Sequence, residues 1–335
     1  MAYPRQGTWL KKMDREMVGA SRLAEERESA RIKAMWEATK YTMKSRIRDE
    51  YRKAFTKQNW TLTLARQTGT MLRIQRHVSE LLNAFGHSAA PYMADSFNAA
   101  KKERVMRLAW TLDMTTPKMV RPKVNGQRLK LREAAVVSGQ VAVYSGVEAE
   151  ATWLERFEEW LRAYENNLMS NIQLGALNAS TPDDAAQEVE VSRPGNRAVD
   201  FWDRIDTLFR TERLRSETEG AGSFIDDNAD MLLEEVWTAM ADNRVCPDCA
   251  ALDGDTRAEA EEQGAEPPLH PLCRCYYRIV PKAWGDYLRA LDPEQALLMS
   301  ARGVAPDAMA VRGDDGKISA LVWVEYKDWL GNVVR

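Results

Sequence analysis

Histidine is almost missing from this sequence: there are three in 335 residues, His77, His87 and His270. Cysteine is nearly as scarce, and all four lie between Cys246 and Cys275. A disulfide framework spreads its cysteines over the domain it staples, so this crowding argues against one and points to a metal or local redox site. No apolar run approaches the length of about 18 residues that a membrane-spanning helix needs. The opening MAYPRQGTWLKK also lacks the apolar stretch that follows the basic start of a secretory signal. The chain is therefore expected to be soluble, to engage no membrane and to stay in the cytoplasm where it is made. Gly-x-Gly-x-x-Gly, the phosphate loop ending in Gly-Lys-Ser/Thr, and Gly-x-Ser-x-Gly are all absent. No repeat with a period of roughly 20 to 50 residues is evident, which argues against a solenoid or propeller.

What is present is a chain with 44% hydrophobic and 29% charged residues, long enough for two domains with a sizeable core. Its net charge of -3 conceals a division. Residues 1–132 hold 28 Lys+Arg against 12 Asp+Glu, a net +16, and residues 133–335 hold 19 against 38, a net -19. Such asymmetry speaks to association. The basic part seeks nucleic acid or an acidic protein surface, or else its helices are solvated and partly docked on the chain's own acidic half.

Hydrophobic periodicity makes the basic part helical. Leu10 to Trp60 contains no Pro and no Gly after Gly19, and sets Met43, Ile47, Tyr51, Ala54 and Phe55 at helical spacing, which predicts one or two long amphipathic helices. Met71, Ile74, Val78, Leu81 and Phe85 continue a helix expected to stop at Gly86; another is expected to start near Pro91, with Met93, Phe97, Val105 and Trp110. Thr115 to Arg132, with two prolines and Asn125-Gly126, reads as a loop or hairpin, and the charge reverses just after it. Gln140 to Tyr144 reads as a short strand. Trp153, Phe157, Trp160, Leu161, Tyr164, Leu168 and Ile172 form an aromatic stripe at helical spacing, which is the pattern of a core face. A short helix is expected after Ser180 or Thr181 as cap, with Pro182 in its first turn. After a polar link, Ser192 to Asn196, the periodicity predicts a helix through Phe201, Ile205, Leu208 and Phe209. Then come a looser Gly-rich stretch, Glu219 to Ser223, and a helix carrying Met231, Leu232, Val236 and Trp237. Tyr276 to Val280 alternates like a strand, and Leu321 to Tyr326 is a second strand candidate, reached through a turn at Asp315-Gly316. The expected fold class is mainly α with a small α+β C-terminal region: long amphipathic helices followed by a Cys/His-braced domain with short strands. The expected divisions are 1–132 (basic, helical), 133–285 (containing the Cys/His cluster) and 286–335 (a tail with short strands).

The chemistry-bearing cluster reads Cys246-Pro-Asp-Cys249, then, after twenty intervening residues, His270-Pro-Leu-Cys273-Arg-Cys275. Two thiolates at CxxC spacing can hold one ion from a single turn, and an imidazole with further thiolates can complete a tetrahedron, a set that suits zinc. Five candidates compete for four places. Cys246, Cys249, His270 and Cys273 are the expected ligands, with Cys275 the alternative because it lies nearest the strand start. A closed set of four protein ligands leaves no position for water, so such a zinc is structural. A Cys246–Cys249 redox pair, or reduced buried thiols packing as small hydrophobes, are the other readings.

A wider string surrounds these residues: Trp237, Asp242, Arg244, Cys246, Cys249, Leu252-Asp253-Gly254, Pro267-Pro268, His270-Pro271 and Cys273-Arg274-Cys275. In kind and order it resembles the signature of the Mu F-like head morphogenesis proteins of tailed phages. Arg210-Thr211-Glu212 is similar to an Arg-Thr-Glu that the family carries on a helix, and Gly175 with the helix from Ser180 to Val189 is similar to its Gly-then-short-helix element. The resemblance covers about residues 165–282; the stretch from Asp255 to Glu266 is longer than the family pattern. It implies a minor component of the phage head, built into the virion in the host cytoplasm, associated with the portal protein and other capsid proteins, and concerned with DNA retention or delivery.

An enzymatic reading has little to rest on. A zinc deaminase needs an upstream His-x-Glu to supply a ligand and the proton shuttle, and neither His77 nor His87 is followed by Glu at that spacing. A cysteine hydrolase needs a His that the metal set does not already use. No catalytic residues are assigned. The second functional reading is nucleic-acid binding: Trp9, Trp36, Tyr41, Tyr51 and Trp60 are interleaved with Lys and Arg in residues 1–132, a composition that gives salt-sensitive contact with duplex DNA.

Overall fold

The computed structural model describes residues 4–54, 69–115, 122–124, 127–128, 152–178, 180–192, 200–239, 245–282, 310–312, 318–320 and 326–333. Its long helices are α1 (Pro4–Ala54), α2 (Thr70–Thr115), α3 (Thr152–Leu177) and α5 (Phe201–Asp227), with the short α4 (Pro182–Val191) before the last. The C-terminal part carries strand β3 (Leu232–Thr238), helices α6 (Pro247–Ala251) and α7 (Arg257–Glu262), and strand β4 (Tyr276–Pro281). Three antiparallel two-stranded ribbons are described: β1 (Lys123–Val124) with β2 (Gln127–Arg128), β3 with β4, and β5 (Ala310–Arg312) with β6 (Ile318–Ala320); α8 (Tyr326–Val333) follows. The chain is thus mainly helical with a small antiparallel element near the Cys/His cluster. No described helix is long and apolar enough to cross a membrane.

Two compact units are assembled from separated stretches: residues 1–23, 97–147 and 213–335 form the first, and 24–96 with 148–212 the second. The expected boundaries at 132/133 and 285/286 fall outside the described residues, as do Gln140 to Tyr144 and residues 193–196 of the polar link.

The second unit is built on aromatic stripes. Ile32, Trp36, Met43, Ile47 and Tyr51 line one face of α1 and are all buried, as the 3.6-residue period requires. Trp36 is the centre, with ring centroids 5.3 Å from Phe85, 5.2 Å from Tyr164 and 4.7 Å from Phe201; each such pair contributes about 1 kcal/mol beyond its buried area. Two buried tyrosines donate from their hydroxyls to backbone carbonyls, Tyr51 to Ile172 at 2.9 Å and Tyr164 to Val189 at 2.6 Å, so neither leaves an unpaired polar group in the core. Helix α4 begins in a capping box: Thr181 accepts from the Asp184 N–H, the Asp184 carboxylate accepts from the Thr181 N–H, and Pro182 stands in the first turn.

Helix α2 does not stop at Gly86. It runs through Gly86 and Pro91 without a break, and Leu82, not Leu81, lies on its buried face. Gly86 is a packing position, since a Cβ there would stand 3.1 Å from Leu161 Cδ1. Pro91 removes the donor that His87 C=O would use, but both residues lie on the exposed face, where water can replace it. The flanking Ala89 and Met93 are fully buried and hold the helix on its path.

In the first unit, α5 likewise passes through its glycines. A Cβ on Gly220 would lie 2.9 Å from both the Cγ and the carbonyl oxygen of Lys101, so this glycine permits close approach to α2. The helix expected over Met231 to Trp237 is a strand. Positions 231, 232, 236 and 237 suit either period, and pairing with β4 decides, with Glu235 opposite Ile279 and Trp237 opposite Tyr277. The buried Asn228 ends α5: its side-chain amide donates to the carbonyls of Phe224 and Lys123, both at 2.8 Å, and its Oδ1 accepts from the Lys123 N–H at 2.6 Å. That clamp fixes ribbon β1–β2, which flanks Asn125-Gly126 as expected. Ribbon β5–β6 flanks Asp315-Gly316, while residues 321–325 lie outside the described set and Tyr326 starts α8.

Many of the basic residues are answered by acids of the chain itself. Within the second unit, Lys40 and Lys44 approach Glu190 at 2.9 and 2.6 Å, and Arg48 lies 2.6 Å from Asp183. In the first unit Lys101 pairs with Glu219 at 3.3 Å. Part of the positive charge of residues 1–132 thus docks on the acidic half of the sequence.

Candidate metal centre

The first pair of thiols is presented by α6. Cys246 is its N-cap, Pro247 occupies the first turn, and the Cys246 sulfur accepts from the Cys249 N–H at 3.3 Å. The CxxC spacing therefore winds both sulfurs onto one helical turn. The second group comes from the turn before β4, where Leu272 adopts a left-handed φ of 60° and the Cys273 N–H donates to the His270 carbonyl at 3.0 Å.

These two turns bring all five candidates together. His270 Nε2 stands 3.1 Å from Cys246 Sγ and 3.2 Å from Cys249 Sγ, and Cys249 Sγ lies 3.7 Å from Cys273 Sγ. The metal-capable atoms fall into two overlapping triads, Cys246–Cys249–His270 and Cys249–Cys273–Cys275, within each of which all atoms lie within 4.8 Å of one another. Cys249 is common to both. Cys249, Cys273 and Cys275 are buried and Cys246 is half-buried. Between the turns lies a void of about 10 Å³, bordered by the five candidates with Val245, Leu272 and Arg274, room for a single small occupant.

The electrostatics divide the four cysteines, favouring the thiolate at Cys246 and Cys273 and the thiol at Cys249 and Cys275. The Cys249 N–H holds the Cys246 thiol below its ordinary value. Hydrogen bonding from the Cys275 thiol brings Cys273 down to about 5, whereas burial pushes Cys249 up to about 12. Cys275 is pushed up, first because its thiol donates to Cys273. His270 is raised chiefly by its contact with the Pro271 carbonyl, 2.8 Å from Nδ1. A proton on Nδ1 leaves the Nε2 lone pair facing the sulfurs, the arrangement in which a metal-bound histidine is usually oriented.

The donor set fits a soft divalent ion. Sulfurs on a tetrahedron with bonds of about 2.3 Å to zinc are about 3.8 Å apart, close to the 3.7 Å between Cys249 and Cys273. A closed set of sulfur and nitrogen ligands braces two turns and offers no place for a reacting water.

The remaining signature residues have structural duties. Trp237 is buried edge-on to Tyr277, with ring centroids 5.7 Å apart. Its backbone N–H donates to the Asp255 carbonyl at 2.7 Å and its backbone carbonyl accepts from the Gly254 N–H at 3.0 Å. The Asp253 carboxylate accepts from the Ala239 N–H at 2.8 Å, and Gly254 has φ +101°, a conformation that favours glycine. Leu-Asp-Gly therefore fastens the turn after α6 to strand β3. Asp242 and Arg244 lie outside the described residues. Arg210, Thr211 and Glu212 belong to the second unit. There Arg210 pairs with Asp206 at 2.7 Å and with Glu25, Thr211 donates to the Thr207 carbonyl at 2.7 Å, and Glu212 is buried.

Two features escaped the sequence reading. The acidic stretch from Asp255 to Glu266 contains α7, started by a Thr256–Glu259 capping box; the signal, Thr-x-x-Glu, is legible in the sequence. The Asn228 clamp has no comparable signal, because its partner Lys123 is 105 residues away.

Comparison with known families gives a match of residues 164–278 to the family described as Phage Mu protein F like protein. No curated protein and no solved structure gives a match.

Proposed function

Since residues 164–278 match the family described as Phage Mu protein F like protein, we propose that this chain is a minor head protein of a tailed phage, a structural component of the virion assembled in the host cytoplasm. Its place is the portal vertex, where it contacts the portal protein and other capsid proteins and acts in DNA retention or delivery. The observation that carries this reading is that the matched segment contains the whole Cys/His cluster, together with the Trp237–Asp253–Gly254 fastening that holds its first half. Such a segment is a rigid module for assembly, and the chain is not an enzyme. Cys246, Cys249, His270 and Cys273 hold a structural zinc, with Cys275 as the alternative ligand. Residues 1–132 form a basic helical region, 133–285 the head-morphogenesis domain and 286–335 a tail.

Contact with duplex DNA is a subordinate role, supported by the net +16 of residues 1–132. The test of the main reading is co-expression with the portal protein of the same phage, followed by affinity purification and mass spectrometry of purified heads. Co-purification and presence in the particle are expected. A chain absent from purified heads, and not retained by portal, would overturn the assignment.

A further inference from the structure

One cysteine of the cluster is half-buried, Cys246, and three are buried. Cys249 is 2% exposed and Cys273 4%. Thiol oxidation follows exposure, so an oxidant arriving from solution meets Cys246 first. The next sulfur along the CxxC turn is that of Cys249, which also lies 3.7 Å from the sulfur of Cys273. Cys246 and Cys273 belong to different triads, and Cys249 belongs to both. Cys246, Cys249 and Cys273 thus stand in series, from the accessible end of the cluster to its interior and from the first turn to the second.

Such a series passes a disulfide inward. The Cys246 thiolate attacks a peroxide and breaks its O–O bond, giving a sulfenic acid and hydroxide. Cys249 gives up its proton and displaces hydroxide from that sulfur, and the two leave as water. The Cys273 thiolate then attacks the Cys249 sulfur, and Cys246 departs as a thiolate. In sum two thiols lose two electrons and two protons, and the peroxide becomes two waters. We propose that Cys246 is the entry point for oxidation and that the bond it starts comes to rest between Cys249 and Cys273. That bond consumes two of the residues proposed as metal ligands. The same two turns are then closed by an ion in the reduced chain and by a disulfide in the oxidised one. The inference concerns the sulfurs themselves and is tested on metal-stripped protein, so it stands or falls apart from the zinc reading.

The full chain is reduced, stripped of metal with a chelator, freed of reductant and treated with hydrogen peroxide. Remaining thiols are alkylated, and tryptic peptides are mapped by mass spectrometry without reduction. Trypsin separates the candidates: Cys246 and Cys249 share peptide 245–257, Cys273 lies in 258–274 and Cys275 in 275–278. The expected product is 245–257 joined to 258–274, with the alkyl groups on Cys246 and Cys275. Cys246→Ala, its folding checked by thermal melting, should form the same bond on the order of tenfold more slowly, since the oxidant then meets buried sulfurs. A bond confined to peptide 245–257, a bond to 275–278, or thiols that all alkylate after peroxide overturns the inference. So does a Cys246→Ala protein that oxidises at the parent's rate. Zinc-loaded parent given the same treatment should release its ion as the bond forms. A parent that never held zinc fails the metal reading, and the peptide map still decides this one.

Discussion

Cys246 Sγ and His270 Nε2 stand 3.1 Å apart although 24 residues separate them in sequence. Holding a thiolate and an imidazole in this register, beside two further sulfurs, is what a bound ion does well and what reduced thiols alone do poorly. Freshly reduced protein is expected to carry about one zinc per chain by elemental analysis, and Cys249→Ser, which removes the sulfur common to both triads, should lose it and melt at lower temperature. Cys275→Ser should keep the metal if Cys275 is the spare ligand. Zinc-free parent protein would sink the metal assignment without touching the family match.

The two glycines of α5 should respond in opposite directions. Gly220→Ala places a methyl 2.9 Å from the Lys101 carbonyl oxygen, a backbone atom that cannot step aside, and should cost about 1–3 kcal/mol. Nothing lies within 4 Å of a Cβ on Gly222, so Gly222→Ala should stabilise by about 0.5–1 kcal/mol through helix propensity. Chemical denaturation of the two variants checks this, and similar shifts for both would refute the packing argument.

Glu50 makes stability depend on pH. Burial alone would raise its carboxyl, but hydrogen bonds from Arg73 at 2.7 Å and Lys53 at 2.6 Å hold it below its ordinary value. A depressed carboxyl contributes stability that is present above the unfolded value of about 4.3 and is lost as pH falls through the folded one. Both cations are well exposed, which limits the contribution to about 1 kcal/mol. Glu50→Gln should therefore melt below the parent at pH 7, and the gap should close by about pH 3. A gap of equal size at both pH values would remove the ion-pair explanation.

Periodicity alone was enough to locate α1, α3 and the first half of α5, because Ile47, Phe157 and Ile205 recur with their neighbours at helical spacing. It misjudged the glycines and Pro91, since a glycine that ends a helix and one that admits a neighbouring helix look identical until Leu161 or Lys101 is placed against it. The strand at Leu232–Thr238 was ambiguous for a related reason: its partner β4 lies about forty residues downstream, and only pairing chooses between the two periods. The Cys/His cluster was legible because its members come in two short local motifs. What brings the motifs together, the fastening of Trp237 to Gly254 and Asp255, is made of backbone groups that carry no side-chain signature.

The Cys246 sulfur caps α6 while belonging to the Cys/His cluster. Its charge state and the winding of a five-residue helix are thus one equilibrium: a thiolate accepts more strongly from the Cys249 amide than a thiol does. Amide exchange at Cys249 should slow when the sulfur is ionised or metal-bound and quicken when it is alkylated. A single backbone proton then serves as a built-in gauge of whether the module has closed.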